Sequence, residues 1–307
     1  MARYILRRLA IAIPTLFIIV SISFFLMRVA PGGPFSRERP LDPTVLANIE
    51  RAYHLSDPLF LQYLRYLGNL LRGDLGPSFV FRDFTVQDLF RTGLPASIQL
   101  GAWALLISVV LGVVLGVIAA LYQNRTVDYA VIGTAAIGIT IPSFVVAPVL
   151  SLVIGVWLDW LPTGGWGQGA WQYKVLPIAT LALPQVAIIA RLTRGSMIEA
   201  LRSNHVRTAR AYGLPTRSVV VVHSLRGAIL PVVSYLGPAA AGLVTGSVVV
   251  EEIFTVPGIG RYFVQAALGR DYTLVMGTVV VIAVFILLFN LVVDLLYALI
   301  DPRIRYD

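Results

Sequence analysis

The stretch that decides how this chain is read is "SNHVRTARAYGLPTR", Ser203–Arg217. It carries three Arg (Arg207, Arg210, Arg217) and no acid, and it stops at Gly-Leu-Pro. The residues on either side are apolar enough to fill a bilayer. A short, basic, punctuated helix between two such runs belongs outside the hydrocarbon, so the chain must cross a membrane around it. The whole composition agrees. Of 307 residues 57% are hydrophobic and 13% charged, with mean hydropathy +0.81, against about 25% charged residues in soluble domains. This is an integral membrane protein with several spans.

Six segments are long enough to cross about 30 Å of hydrocarbon as helices: Leu9–Val29, Ser97–Leu121, Tyr129–Trp157, Val175–Ala190, Val232–Ile253 and Leu274–Ile300. The fourth is short and is expected to continue as helix through Arg191–Glu199. The N-terminal Arg3, Arg7 and Arg8 before an apolar run also suit a signal peptide. That run, Leu9–Met27, exceeds a usual h-region, so a retained first span is the better reading. Basic residues in short loops set orientation. With the N-terminus inside, the tail, 122–128, 191–231 and 301–307 hold 3, 1, 7 and 2 of them, against 1 and 2 in the outer loops 158–174 and 254–273. Both termini and the basic island are therefore expected in the cytoplasm.

Three parts follow: the tail and first span, 1–30; an external segment, 31–96; and a core transmembrane domain, 97–307, with the loop 191–231. In the external segment "LDPTVLANIERAYHL" predicts a helix capped by Asp42 with Pro43 at its start. Val45, Leu46, Ile49, Ala52 and Tyr53 share its face. "SDPLFLQYLRYLGNLLRGDLG" repeats the device with Asp57 and Pro58. Its stripe is Leu59, Phe60, Tyr63, Leu64, Leu67, Leu70 and Leu71, and it ends at Gly73. Such helices lie on the outer interface or cap the bundle, or else merely pack against loops. Gly112-x-x-x-Gly116 and Gly242-x-x-x-Gly246 allow close helix contacts.

The chemistry is bounded by absences in the sequence. There are no Cys, so disulfides and thiolate sites are excluded. The single Lys, Lys174, lies in "AWQYKVLP" and not in a Gly-x-x-x-x-Gly-Lys phosphate loop. His54, His205 and His223 are too scattered for a helical metal site. No catalytic set, metal site or chain-borne cofactor is expected, and the net charge of +8 marks cytoplasmic loops rather than nucleic-acid binding.

Within the island, Gly213 suits a left-handed C-cap and Pro215 blocks continuation. Val206, Ala209, Ala211, Tyr212 and Leu214 offer apolar surface. Arg207 and Arg210 are free to meet a partner. The positive-inside rule alone would explain the charge. It does not require a capped helix, and a docking element explains both. Elsewhere, Glu251 and Glu252 end the fifth span, either as an interfacial pair or as part of an outer gate with the tight turn at Pro257, Gly258 and Gly260. Asp294 is expected to pair with an Arg of the loop or of another subunit. Arg28 is expected to snorkel outward. Ser234, Thr245 and Ser247 either line a pathway or bond back to nearby carbonyls.

Longer stretches carry a resemblance. "RTARAYGLPTRSVVVVHSLRGAILPVV" resembles the conserved cytoplasmic loop of ABC-importer membrane subunits in their peptide/nickel permease form. "YILRRLAIAIPTLFIIVSISFFLMRVAPGGPF", "GDLGPSF", "RTGLPASIQLG", "IPSFVVAP", "LPTGGW", "RLTRGSMIEAL", "VEEIFTVPGIGRYF" and "VVDLLYALIDPRIRY" match in order. The resemblance covers essentially the whole chain and is closest to the B-type subunits of oligopeptide permeases. It implies an all-α, six-helix type I importer fold in a bacterial inner membrane. It also implies a homologous second permease subunit, two cytoplasmic ATPases that bind ATP and magnesium, and an external peptide-binding protein. The ATPase contact would then be Arg207, Thr208, Ala209, Arg210, Tyr212, Gly213 and Leu214. The Glu-Ala-Ala of other importers falls at Arg207, Thr208 and Ala209, so their Glu salt bridge does not carry over. A permease for dipeptides, nickel or another solute is the alternative within the family. A stand-alone secondary transporter would need several ionisable residues inside the spans or two-half broken helices. Neither is evident.

Overall fold

The computed structural model describes residues 2–29, 54–81 and 83–300. The helix expected from Asp42 and Pro43 and the tail 301–307 lie outside them. The described residues are helical apart from turns and one isolated bridge, Pro77 to Thr85. The elements are α1 (Ala2–Val29), α2 (Leu59–Leu71), α3 (Val86–Leu121), α4 (Thr126–Thr140), α5 (Ser143–Leu150), α6 (Trp171–Arg202), α7 (Asn204–Ala211), a composite α8 over 216–228, α9 (Leu230–Ile253), α10 (Ile259–Leu268) and α11 (Tyr272–Ile300). Five of these, α1, α3, α6, α9 and α11, are each long and apolar enough to cross a membrane.

The expected third span, Tyr129–Trp157, is not one straight helix. α4 and the segment Ser143–Trp157 meet at 103°. The cause is local. Ile141 precedes Pro142 and is extended, with φ −83° and ψ 120°, because a proline ring excludes the helical region for the residue before it. The pair counts as a sixth, bent span or as a re-entrant segment.

α3 begins earlier than the apolar run. Thr85 and Asp88 form a reciprocal capping box, with the Asp88 N–H donating to Thr85 Oγ1 at 3.2 Å and the Thr85 N–H to Asp88 Oδ2 at 3.1 Å. The boundary expected at 96/97 therefore falls inside one continuous helix. α3 and α6 run side by side in the same direction. Ser108 Oγ donates to the Ala182 carbonyl at 3.2 Å. A Cβ on Gly112 would lie 2.7 Å from Ile189, and one on Gly116 2.5 Å from Thr193. This first small-residue pair is a true helix contact. Gly242 of the second pair faces Gln185, whose Oε1 accepts from Tyr235 Oη at 2.8 Å.

α1 and α11 run antiparallel, which places Arg8 beside Asp294 at 2.9 Å. Asp294 thus pairs with the first helix and not with an Arg of the loop. Chain folding across 286 positions brings them together. Arg28 also differs from expectation. Instead of snorkelling outward it donates to Gln62 Oε1 and stacks 5.1 Å and 5.2 Å from the Phe24 and Tyr272 rings.

α2 ends as its sequence predicts. Gly73 has φ +77°, its N–H donates to the Leu70 carbonyl, and the Asp74 N–H to that of Asn69, a Schellman stop. The start differs: Asp57 does not cap but pairs with Arg65 at 2.7 Å. The expected stripe is split. Tyr63, Leu67 and Leu70, joined by Tyr66 from outside the stripe, pack on Val20, Phe24, Met276 and Val280, while Leu59, Phe60, Leu64 and Leu71 are exposed. Burial pushes the Tyr66 hydroxyl up to about 12, so it stays neutral at any physiological pH.

Candidate functional site

The bundle has a basic end, where α6 leaves and α9 enters, and a far end, where α3 and α6 begin. α7 hangs from the basic end. It starts after Ser203 (φ −66°, ψ 155°) and stops by a Schellman motif. The Gly213 N–H donates to the Arg210 carbonyl at 2.9 Å and the Leu214 N–H to that of Ala209 at 3.3 Å. Gly213 has φ +72°, a conformation that costs an L-residue about 1–2 kcal/mol.

Three side chains hold α7 in place. Val206 and Ala209 pack on Val219 of α8, and His205 Nε2 donates to the His223 carbonyl at 2.9 Å. Burying Val206 alone contributes about 2 kcal/mol. α8 is in turn seated on α3 and α6 through Ala120, Met197, Val220 and Ala228. The same end carries a pair that sequence reading missed. Asp128, buried in the first turn of α4, receives Arg194 Nε at 2.5 Å and Nη2 at 2.6 Å, plus the Asn124 N–H at 2.8 Å. This two-pronged contact ties α4 to α6.

What α7 presents outward follows from this seating. Arg207, Thr208, Arg210, Ala211, Tyr212, Gly213 and Leu214 are exposed, Tyr212 by 82%. Of the expected contact residues, Ala209 alone is turned inward. It shares the Val206 face, and its role is to hold α7 rather than to touch a partner. Val206, expected as surface, is buried for the same reason.

The far end is built the opposite way. Glu251 is 0% exposed, and its Oε2 accepts the Gly260 N–H at 2.7 Å. A Cβ on Gly258 would lie 2.2 Å from that oxygen, and one on Gly260 2.4 Å from the Val248 Cα. The chain therefore closes over the carboxylate only where it has no side chains. Pro257 sits between Val256, whose N–H donates to the Glu251 carbonyl at 2.9 Å, and Gly258. Thr255 takes φ +51°, which is strained for a β-branched residue. Glu252 separates from its neighbour: it is exposed at the side chain and lies 3.8 Å from Arg261. The two glutamates are thus not an interfacial pair. One is the buried post of a turn and the other is surface. The Ile259 N–H donates to Ser97 Oγ at 3.0 Å, and the Gly165 N–H to the Phe254 carbonyl at 2.7 Å.

A third buried acid, also missed from sequence, anchors the "GDLGPSF" stretch. Asp271 Oδ2 receives Ser78 Oγ at 2.5 Å and the Phe79 and Val80 N–H groups at 2.8 and 3.0 Å. Its Oδ1 receives Thr273 Oγ1 at 2.9 Å and the Leu274 N–H at 3.0 Å, capping α11. The clue was an Asp just before an apolar helix. Beside the turn, α3, α9 and α11 line an apolar cavity of about 380 Å³ with Ser97, Leu243, Ser247 and Phe289. Ser234 and Ser247 bond back to the Leu230 and Val244 carbonyls. The side chain of Thr245 lies outside the described residues. No cluster of three or more metal-ligating side chains occurs among the described residues.

The family model for the binding-protein-dependent transport system inner membrane component matches residues 112–306. The model for the N-terminal part of such membrane components matches residues 1–80. This chain belongs to that inner membrane component family. It is a multi-pass inner membrane protein with the type I ABC transmembrane fold. Among curated proteins, it is 55% identical to the oligopeptide transport system permease protein OppB of Salmonella typhimurium, over 306 residues and 100% of both chains. It is 54% identical, over the same span, to OppB of Escherichia coli K12. It is 44% identical to the dipeptide transport system permease protein DppB of Bacillus subtilis, over 99% of this chain and 98% of that one. The family match runs through the basic end, the bent pair and the far-end turn alike.

Proposed function

We propose that this chain is the permease subunit of an ATP-driven importer of oligopeptides. It forms the pathway with a homologous second permease subunit and carries no catalytic site or cofactor. Two cytoplasmic ATPases bind the ATP and magnesium, and an external binding protein delivers the peptide. The basic end then faces the cytoplasm with both termini, and 31–96 lies outside. The observation that carries this reading is α7: its apolar residues hold it to the bundle, and its Arg207, Arg210, Tyr212 and Leu214 face away from it. Coupling needs an element that both the ATPase pair and the bundle can bias. A short helix fixed by two Schellman bonds and a packed face meets that need. At the far end, Glu251 holds the turn at Pro257, Gly258 and Gly260 as part of the outer gate, and Glu252 contributes surface charge.

Full-length identity to the oligopeptide proteins, above that to the dipeptide protein, supports peptides as the substrate. The test is Arg207→Glu with Arg210→Glu in a strain lacking other peptide importers. Both residues are exposed, so membrane insertion and thermal stability stay within about 0.5 kcal/mol of the parent. Peptide uptake falls to background, and the ATPases no longer co-purify with the tagged chain. Normal uptake by the double variant would reject α7 as the coupling helix.

A further inference from the structure

The far end holds one buried cation that no described carboxylate balances. Lys174, the single lysine of the chain, is 8% exposed. Its Nζ donates to Gln99 Oε1 at 2.9 Å and lies 4.9 Å and 5.4 Å from the centres of the Trp166 and Trp171 rings. Trp171 packs edge-on against Trp103 at 4.9 Å. No carboxylate pairs with Lys174 among the described residues. It stands in the first turn of α6, whose N-cap Ala170 gives no side-chain bond and whose first turn has no acid. A helix start is already positive, so an ammonium there is doubly unsupported.

Packing does not explain the charge. A methionine would fill the same slot between two indoles with no desolvation cost. The indole faces stabilise a cation, but a buried charge is ordinarily paired as well. No described residue supplies that counter-charge. Gln99 lies on α3 in the same turn as Ser97, which holds Ile259 of the gate turn. Trp166 follows Gly165, which holds Phe254. Lys174 thus lies beside the turn assigned above to the outer gate.

We propose that Lys174 and Gln99 form a carboxylate-recognition site at the outer mouth, and that it takes the C-terminal carboxylate of an incoming peptide. The inference rests on the oligopeptide reading above, because the C-terminal carboxylate is the group every unmodified peptide shares. Trp166 and Trp171 hold the ammonium in place. An arriving carboxylate takes a charge-assisted hydrogen bond from Nζ, and the positive start of α6 adds to the attraction.

The test uses the complete importer in vesicles, with its binding protein, and compares uptake of trialanine with that of trialanine amide. Lys174→Met removes the charge and keeps the length; Lys174→Arg keeps the charge. Expected for Lys174→Met is a fall of about tenfold in kcat/KM for trialanine, with the amide within about twofold of the parent. Lys174→Arg recovers most of the loss. Equal losses for both peptides, or no loss for either, overturn the proposal and leave Lys174 as a staple between the 158–170 loop and α3. A parent importer that carries neither peptide overturns the oligopeptide reading, and this inference with it. If the parent carries the free acid alone, the thermal midpoint of Lys174→Met decides. An unchanged midpoint with lost uptake supports the site, and a lowered midpoint overturns it.

Discussion

The two ends of this molecule solve opposite problems with opposite chemistry. At the basic end the charges of α7 point out, and small apolar residues (Val206, Ala209, Val219) hold it to the bundle. At the far end two carboxylates point in. Glu251 and Asp271 are each 0% exposed, and each collects backbone N–H groups from chain remote in sequence or from a tight turn. An apolar mount leaves polar side chains available to a partner. A carboxylate post uses them up, and in exchange fixes irregular backbone at one geometry. On the function proposed above, coupling would draw on the first property and closure on the second.

Substitutions sharpen or break that contrast. The largest effect is expected from Asp271→Ala, which strips partners from Ser78, Thr273 and three buried or half-buried N–H groups. The loss is about 4 kcal/mol, read as a lowered thermal midpoint of the purified assembly, with Asp271→Asn intermediate. A loss below about 1 kcal/mol would mean that the 77–80 stretch is held by other contacts. Next comes Gly260→Ala, at about 3 kcal/mol: the new methyl meets the Val248 backbone and the Glu251 carboxylate, neither of which can retreat. Smaller is Gly213→Ala. Nothing lies within 4 Å of a Cβ there, so only the left-handed backbone is strained, at about 1–2 kcal/mol. Insertion survives, while uptake falls more than the stability loss explains. Equal destabilisation by the two glycine substitutions would erase the distinction between a packed end and an open one.

Features set by neighbours in sequence were legible in advance. The apolar runs located the spans, Gly213 and Gly73 located two helix stops, and the Gly112 and Gly116 spacing located a helix contact. Features set by neighbours in space were not. Asp128 finds Arg194 across 66 positions and Arg8 finds Asp294 across 286, and no local pattern names such partners. The inward turn of Ala209 is of the same kind, since the face of α7 that is covered depends on where α8 returns. The bend at Ile141 is different. Pro142 announces it, but the apolar run continues on both sides and its hydropathy hides the break.

Continuity of α6 has a mechanical consequence. Its 32 residues make a rod about 48 Å long, with one tip beside α7 and the other beside Trp166 and Gln99. Pro177 and Pro184 interrupt its internal bonding, but the close parallel contact at Gly112 and Gly116 splints it against α3. A tilt of roughly 10° imposed at the first tip sweeps the second through about 8 Å. On the function proposed above, a displacement too small to rearrange α7 itself would reach the far end enlarged to the width of a peptide backbone.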